Sequence, residues 1–505
     1  MRTLLARQRP ARPTLRRPTP SGPTPAGLAL RRPAFGRLLV AVLLLPLLAL
    51  GLAVPATAGE APAGDIRDRL AAVPGMTVTE EKPAPGYRYF LLTYTQPVDH
   101  DRPWLGTFQQ RLSVLHRGED RPTVLYTNGY TLGTTPSRTE PTRLIDGNQV
   151  SIEYRFFTPS RPEPADWSKA GIEQAAADTH RIITALKRVY GQAWISTGAS
   201  KGGMSSVYHR RFYPDDVAGT VAYVAPDDVD DREDSAYTAF FRQVGTAQCR
   251  DALNAAQREL LVRRGTLEPR YAADNAARGN TFRTVGSADR GYELGVLDVV
   301  WAFWQYSTEA DCADVPGAGA TDDQLYAWLD THSGVDANSD RSLAAYTAYY
   351  YQAGTQLGSP LFAVPHLKGL LHYDTKELYA PRTYVPRSIP MRFDRGAMRD
   401  IDGWVRHHAE RILFVYGQND PWGAERFGLG RGSSDSHVYT APGANHGAKI
   451  AALVPAEAAA ATADLLRWAG VGPTAGGGSA AAAAHQAPPY GELDRAGLLL
   501  EQHRL

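Results

Sequence analysis

The 505-residue sequence predicts an α/β fold: a parallel-majority sheet with helices on both faces and an inserted helical lid. Three observations predict it. Short β-rich segments in the first half give way to alternation of strand and helix. A long middle stretch is rich in helix formers and aromatics and shows no strand alternation. The strand rhythm then returns near residue 411.

The elements follow in order. Residues 1–37 are rich in Arg and Pro and contain no acidic residue. An apolar run at 38–52 follows, then Ala56-Thr57-Ala58. A basic region, a short apolar segment and an Ala-x-Ala site form a secretory signal, here residues 1–58, cleaved near Ala58. The run is shorter than the ~20 residues a membrane span needs. An uncleaved anchor is the alternative, and no other segment resembles a transmembrane helix. The mature N-terminus carries a small helix at 65–72. Segments 87–96 and 107–115 alternate apolar and polar residues, as antiparallel strands with one wet face do. Thr123–Thr127 and 150–156 are more continuously apolar, as buried parallel strands are. A helix spans 171–190, a strand 193–197, a helix 201–213 and a strand 219–225. The first part of the core is thus 59–226, the lid insertion 227–402, and the second part 403–470. In that second part, strands at 411–416 and 437–440 precede a helix at 448–468 broken near Pro455. The remainder, 471–505, has a Gly/Ala-rich stretch and reads as a flexible tail.

Composition excludes several function classes. With 54 Lys+Arg against 53 Asp+Glu, no field draws the chain to nucleic acid or acidic lipid. The 25 Tyr suggest an aromatic-lined cleft, or simply half-buried tyrosines. Cys249 and Cys312 lie in the exported part, where an oxidising medium favours a disulfide between them; two buried thiols are the alternative. Two Cys do not build a zinc site, and no His-Glu-x-x-His accompanies them, so neither metal nor cofactor is expected.

The chemistry concentrates at Gly198-Ala199-Ser200-Lys201-Gly202. A Ser hydroxyl needs a base to become a nucleophile. A sharp strand–turn–helix elbow with small flanking residues lifts such a Ser above the sheet, at the N–H groups of the following helix. Strand 193–197 and helix 201–213 supply that setting. An acid and a His should then follow, each just after a strand. Asp420 follows strand 411–416 in Gly417-Gln418-Asn419-Asp420-Pro421-Trp422. His446 follows strand 437–440 in Ala441-Pro442-Gly443-Ala444-Asn445-His446-Gly447, and the intervening gap suits one crossover helix. His446 would act as base and Asp420 would fix its tautomer. The oxyanion donors would be the Lys201 N–H and one N–H from Asn128-Gly129-Tyr130. The Lys201 side chain should point away from the site. Insertion of a helical lid after the sixth strand is common in α/β-hydrolases.

Further motifs carry a resemblance. Gln96-Pro97-Val98-Asp99-His100, followed by Thr107-Phe108-Gln109-Gln110-Arg111, resembles the N-terminal signature of Pro-specific serine peptidases of the lysosomal Pro-X carboxypeptidase and dipeptidyl peptidase II group. Segments 198–204, 224–231, 417–422 and 441–447 are similar to a related secreted bacterial family, the prolyl tri/tetrapeptidyl aminopeptidases. The resemblance covers about residues 75–470, places its triad on Ser200, Asp420 and His446, and implies release of tri- or tetrapeptides from free N-termini with Pro at the cleaved residue.

That activity needs a carboxylate for the terminal ammonium, three extended residues or about 10 Å from Ser200. Glu153 and the pair Asp227 and Asp228 are the candidates. Glu153 could instead pair with an Arg, and the acidic run 227–231 could be an exposed loop; it lacks the Gly and Glu of a calcium loop. Trp301 and Trp304, with Phe303 and the tyrosines at 349–351, would line a Pro pocket or pack the lid core. The expected partners are peptide or protein N-termini, with no nucleic acid and no stable membrane association after the signal is removed. The alternatives are a secreted esterase or lipase, which the signature at 96–111 and the acid-rich lid entrance oppose, and a non-catalytic binding protein, which the complete triad opposes.

Overall fold

The computed structural model describes residues 64–471 and 487–495; the expected signal lies outside them. One nine-stranded sheet runs in the order β1-β2-β3-β5-β4-β6-β7-β8-β9. Strands β1 (Met76–Ala84), β2 (Tyr87–Pro97) and β3 (Thr107–His116) form an antiparallel meander, and β3 pairs antiparallel with β5 (Asn148–Ile152). From β5 onward the sheet is parallel through β4 (Thr123–Thr127), β6 (Trp194–Ala199), β7 (Gly219–Tyr223), β8 (Ile412–Gly417) and β9 (His437–Ala441).

Helices cover both faces of this sheet, and β8 shows why its sequence is continuously apolar. Leu413 and Val415 pack toward α13 (Pro455–Trp468), whereas Ile412, Phe414 and Tyr416 pack toward α4 (Lys201–Phe212) and α12 (Ala397–His408). Helices α1 (Ile66–Ala71) and α3 (Ile172–Leu186) close the antiparallel half. A short helix α2 (Glu140–Leu144) precedes β5.

Between β7 and β8 stands the helical insertion: α5 (Ser235–Gln243), α6 (Ala247–Val262), α7 (Arg264–Ala277), α8 (Ala288–Tyr306), α9 (Asp322–Ser333), α10 (Asp340–Gln352) and α11 (Thr375–Tyr379). It has its own apolar core, in which Leu253, Tyr292, Leu297 and Phe303 are fully buried. Cys249 and Cys312 form a disulfide within it, with Cα atoms 5.5 Å apart. Helix α12 crosses position 402, where the sequence closed the insertion, and its Met398, Ile401 and Val405 pack on the sheet side.

Four further elements differ from the sequence reading. Strand β1 escaped it because its central Glu80, Glu81 and Lys82 sit on an edge, where one neighbour suffices and charge is tolerated. Strand β5 ends at Ile152, and residues 153–156 leave the sheet while staying buried. No α-helix links β8 to β9; a 3₁₀ turn at Pro421–Ala424 and an irregular segment do so. Residues 487–495 of the expected flexible tail dock on the meander. Leu493 packs on Tyr89, Leu91 and Leu115, and Arg138 holds Asp494 through two hydrogen bonds of 2.9 and 2.6 Å. Among the described residues no helix is long and apolar enough to cross a membrane.

Candidate active site

Ser200 stands between β6 and α4 with φ 55° and ψ −128°, a strained backbone for a non-glycine residue. Its N–H donates to the Tyr223 carbonyl at 2.9 Å, which ties the turn to β7. The flanking glycines are required by space: a Cβ on Gly198 would strike the Gly202 backbone and the Thr127 carbonyl, and one on Gly202 would strike Thr127 as well. The Lys201 N–H belongs to the first turn of α4, where no intrahelical acceptor exists.

Asp420 and His446 meet above the carboxyl ends of β8 and β9. His446 Nδ1 donates to Asp420 Oδ2 at 2.7 Å, since an ionised carboxylate only accepts. The other Asp420 oxygen accepts the Trp422 N–H at 3.0 Å, and Asp420 is buried. His446 Nε2 is buried with no protein partner among the described residues, leaving that pole of the ring free. Helix α8 supports this loop from the insertion: the His446 N–H donates to the Gln305 carbonyl at 3.1 Å, and Asn445 Nδ2 to that of Ser307 at 3.0 Å.

Ser200 opens into a pocket lined by Tyr130, Met204, Asp228, Tyr237, Tyr349, Leu357, Pro360 and Trp422. The Trp422 ring lies 6.3 Å from that of His446, centre to centre, so the pocket and the His–Asp pair share a wall. Gly129, at φ +75°, brings the loop after β4 against Lys201; a Cβ there would lie 2.8 Å from Lys201 Cγ and 3.0 Å from the Gly202 nitrogen. The Tyr130 N–H donates to Asn128 Oδ1 at 2.7 Å, and the Gly129 N–H makes a longer 3.3 Å bond to Thr127 Oγ1. Lys201 also borders the pocket; its Nζ lies 3.3 Å from the ring centre of Tyr154, and burial holds its pKa well below the ordinary value.

The acids singled out in the sequence separate clearly. Glu153 is enclosed in the core: Oε1 accepts from Arg111 Nη2 at 2.5 Å and from the Leu132 N–H at 2.9 Å, while Oε2 accepts from Ser160 Oγ at 2.6 Å. A carboxylate so committed has no oxygen to offer a ligand, which removes Glu153 from the ammonium site. Arg155 pairs elsewhere, with Asp178 at 2.6 and 2.8 Å.

Within the run 227–231, Asp227 and Asp228 are buried, whereas residues 229–231 are partly exposed. Burial and then the charge of Asp402 raise the Asp227 pKa, and Asp227 does not line the pocket. Asp228 does, with neither oxygen hydrogen-bonded; burial, then the charges of Glu425 and Asp231, push its pKa up to about 8.

Trp301 stands one layer behind the pocket, 4.9 Å from Trp422 between ring centres. Trp304 packs in the insertion core, filling the space beside Gly245. Of the aromatics expected to line the pocket, Tyr349 does so. Trp422 was within reach of sequence reasoning, two residues after Asp420, whereas Tyr237 and Pro360 carry no local signal.

A mostly parallel sheet with helices on both faces, a strained Ser turn after its third parallel strand and a His–Asp pair at its carboxyl end define an α/β-hydrolase. Solved structures overlap it loosely. They include the peroxisomal alpha-beta-hydrolase Lpx1 of Saccharomyces cerevisiae (9% identity, 82% of this chain and 96% of that one, TM-score 0.34). Another is proline iminopeptidase of Mycobacterium smegmatis (14%, 75% and 98%, TM-score 0.32). Residues 59–498 match the model of the PS-10 peptidase S37 family, and the chain belongs to that family; it is a serine peptidase. It is 57% identical over 437 residues to the prolyl tri/tetrapeptidyl aminopeptidase of Streptomyces mobaraensis, covering 86% of this chain and 91% of that protein.

Proposed function

We propose that this peptidase is exported, loses residues 1–58, and releases tri- or tetrapeptides from free N-termini, with Pro preferred at the cleaved residue. The observation that carries the reading is Ser200 held at φ 55° over an aromatic pocket that it shares, through Trp422, with the Asp420–His446 pair. The activity that names the 57%-identical Streptomyces relative supports the same conclusion.

In this reading Ser200 Oγ attacks the scissile carbonyl while His446 Nε2 takes its proton. Asp420 keeps the proton of Nδ1 in place and stabilises the imidazolium. The Lys201 N–H and one N–H from Gly129 or Tyr130 receive the oxyanion; the Tyr130 N–H exchanges Asn128 for it, the Gly129 N–H its long bond to Thr127. Collapse expels the leaving amine with the proton from His446, and water then hydrolyses the acyl-enzyme by the same route. Met204, Tyr237, Leu357, Pro360 and Trp422 give the cleaved residue an apolar, aromatic seat of the kind a pyrrolidine ring fits. Asp228 is the wall of that seat and contacts the cleaved residue.

The test is a series of p-nitroanilides carrying one to four residues and ending in Pro or Ala, with free or acetylated N-termini. Cleavage should peak at three or four residues with a free amine and Pro last. Equal cleavage of acetylated substrates rules the aminopeptidase reading out and favours an endopeptidase or esterase.

A further inference from the structure

Asp298 is an acid set in an otherwise apolar stretch of α8, Leu294-Gly295-Val296-Leu297-Asp298-Val299-Val300-Trp301. Every residue of that helix from Gly291 to Gln305 is buried except Asp298, which keeps accessible surface. Its surroundings are nevertheless dry enough that burial alone pushes its carboxyl up to about 6. It makes no hydrogen bond or ion pair with any of the described residues. Five phenols lie in range of its charge, those of Tyr306, Tyr349, Tyr350, Tyr379 and Tyr384, each held above its ordinary pKa by burial with Asp298 adding to it.

The placement along the helix is specific. Residues three, four and seven apart share a helix face, so Asp298, Trp301, Ala302 and Gln305 look the same way. Trp301 on that face meets Trp422, a wall of the Ser200 pocket, and the Gln305 carbonyl holds the His446 backbone. Seven residues at 1.5 Å each put Asp298 about 10 Å up the helix from the His446 anchor. Three extended peptide residues span about the same distance. Tyrosines bridge the two ends: Tyr130 and Tyr349 border Ser200, the Tyr349 and Tyr350 ring centres lie 5.1 Å apart, and Tyr350 stacks on Tyr384 at 4.3 Å.

We propose that Asp298 binds the terminal ammonium of the substrate and so measures peptides by length, three residues from the scissile bond. This rests on the aminopeptidase reading above. A lone carboxylate surrounded by aromatic faces suits an ammonium, which brings the missing ion pair and is itself attracted to the rings. Asp228 is unsuited to that task by position, because it borders the same small pocket as Ser200, where the cleaved residue sits.

The experiment compares wild type, Asp298→Asn and Asp228→Asn on Ala-Ala-Pro-p-nitroanilide and its N-acetyl form, with fluorophosphonate labelling of Ser200 to report that each site is assembled. Asp298→Asn should lower the free-amine kcat/KM roughly ten- to hundredfold, chiefly through KM, the range for a hydrogen bond to a charged group. The ratio of free to acetylated cleavage should fall toward one, and Asp298→Glu should restore part of it. A labelled Asp298→Asn protein that keeps the wild-type ratio overturns the assignment, as does collapse of the ratio in Asp228→Asn alone. If wild type itself cleaves both substrates equally, the aminopeptidase reading fails first.

Discussion

Buried carboxylates on two sides of this molecule are treated in opposite ways. Beside the antiparallel half of the sheet, Glu153 is closed in by Arg111, Ser160 and the Leu132 N–H, and Asp178 by Arg155 and His100. In the pocket beside Ser200, Asp228 has no partner for either oxygen among the described residues, and Asp298 on α8 makes no bond to any described residue. Nearby, the Tyr237 and Tyr379 hydroxyls and the Trp301 and Trp422 indole N–H groups are buried without partners as well. A folded chain satisfies its buried polar groups where it can, because an orphan costs about 1–3 kcal/mol. Buried groups without partners occur elsewhere too, Arg111 Nε and the Tyr271 hydroxyl among them, but Asp228, Tyr237 and Trp422 line the pocket beside Ser200, where a ligand can supply their partners.

The contrast can be broken in several ways, the largest effect first. Ser200→Ala should remove about six orders of magnitude of kcat, and Asp420→Asn about four, by analogy with other Ser-His-Asp enzymes. Single-turnover assays on the tripeptide substrate measure both, and residual activity near wild type in either would refute the triad. Glu153→Gln should cost about 3–5 kcal/mol of stability, because it leaves Arg111 half-paired in the core. It should leave the ratio of free to acetylated cleavage unchanged; a change there would return Glu153 to the ammonium site. Replacing Cys249 and Cys312 by Ser should lower stability by about 2–4 kcal/mol in thermal melts, since the bridge closes a loop with a sequence separation of 63. The sheet residues should feel this less than the insertion does in hydrogen exchange.

Asp228→Asn gives the effect whose sign depends on pH. The Asp228 carboxyl is pushed from the ordinary acid range up to about 8 in the folded protein. Between about pH 4 and 8 the folded state therefore holds a proton that the unfolded state has lost, and wild-type stability falls across that window as pH rises. The Asn variant lacks this loss. Its melting temperature should gain on wild type from pH 4 to 8, and a constant difference would show that the carboxyl is not desolvated.

The sequence revealed the chemistry better than the specificity, for a physical reason. Ser200 follows directly on β6, and Asp420 and His446 lie in the short loops after β8 and β9, so local pattern places them at one end of the sheet. The pocket is different. Tyr130, Asp228, Tyr237, Tyr349, Pro360 and Trp422 come from separate segments, and only the packing of the insertion brings them together. Glu153 takes the alternative that the sequence leaves open, pairing with an Arg: β5 ends at Ile152, and the Glu153 side chain meets Arg111 in the core. Asp298 carries a local signal, a charge inside an apolar helix. The spacing between β8 and β9 suits a helix, but Pro421 and the glycines at 423, 428, 430 and 432 disfavour one.

The central claim is that the unpaired face of the insertion is completed by a free N-terminus. Calorimetric titration of the Ser200→Ala protein with Ala-Ala-Pro and with its N-acetyl form tests this most directly. The free-amine peptide should bind at least about tenfold more tightly, as expected for one charged hydrogen bond gained or lost. Equal Kd values for the two peptides would contradict the account.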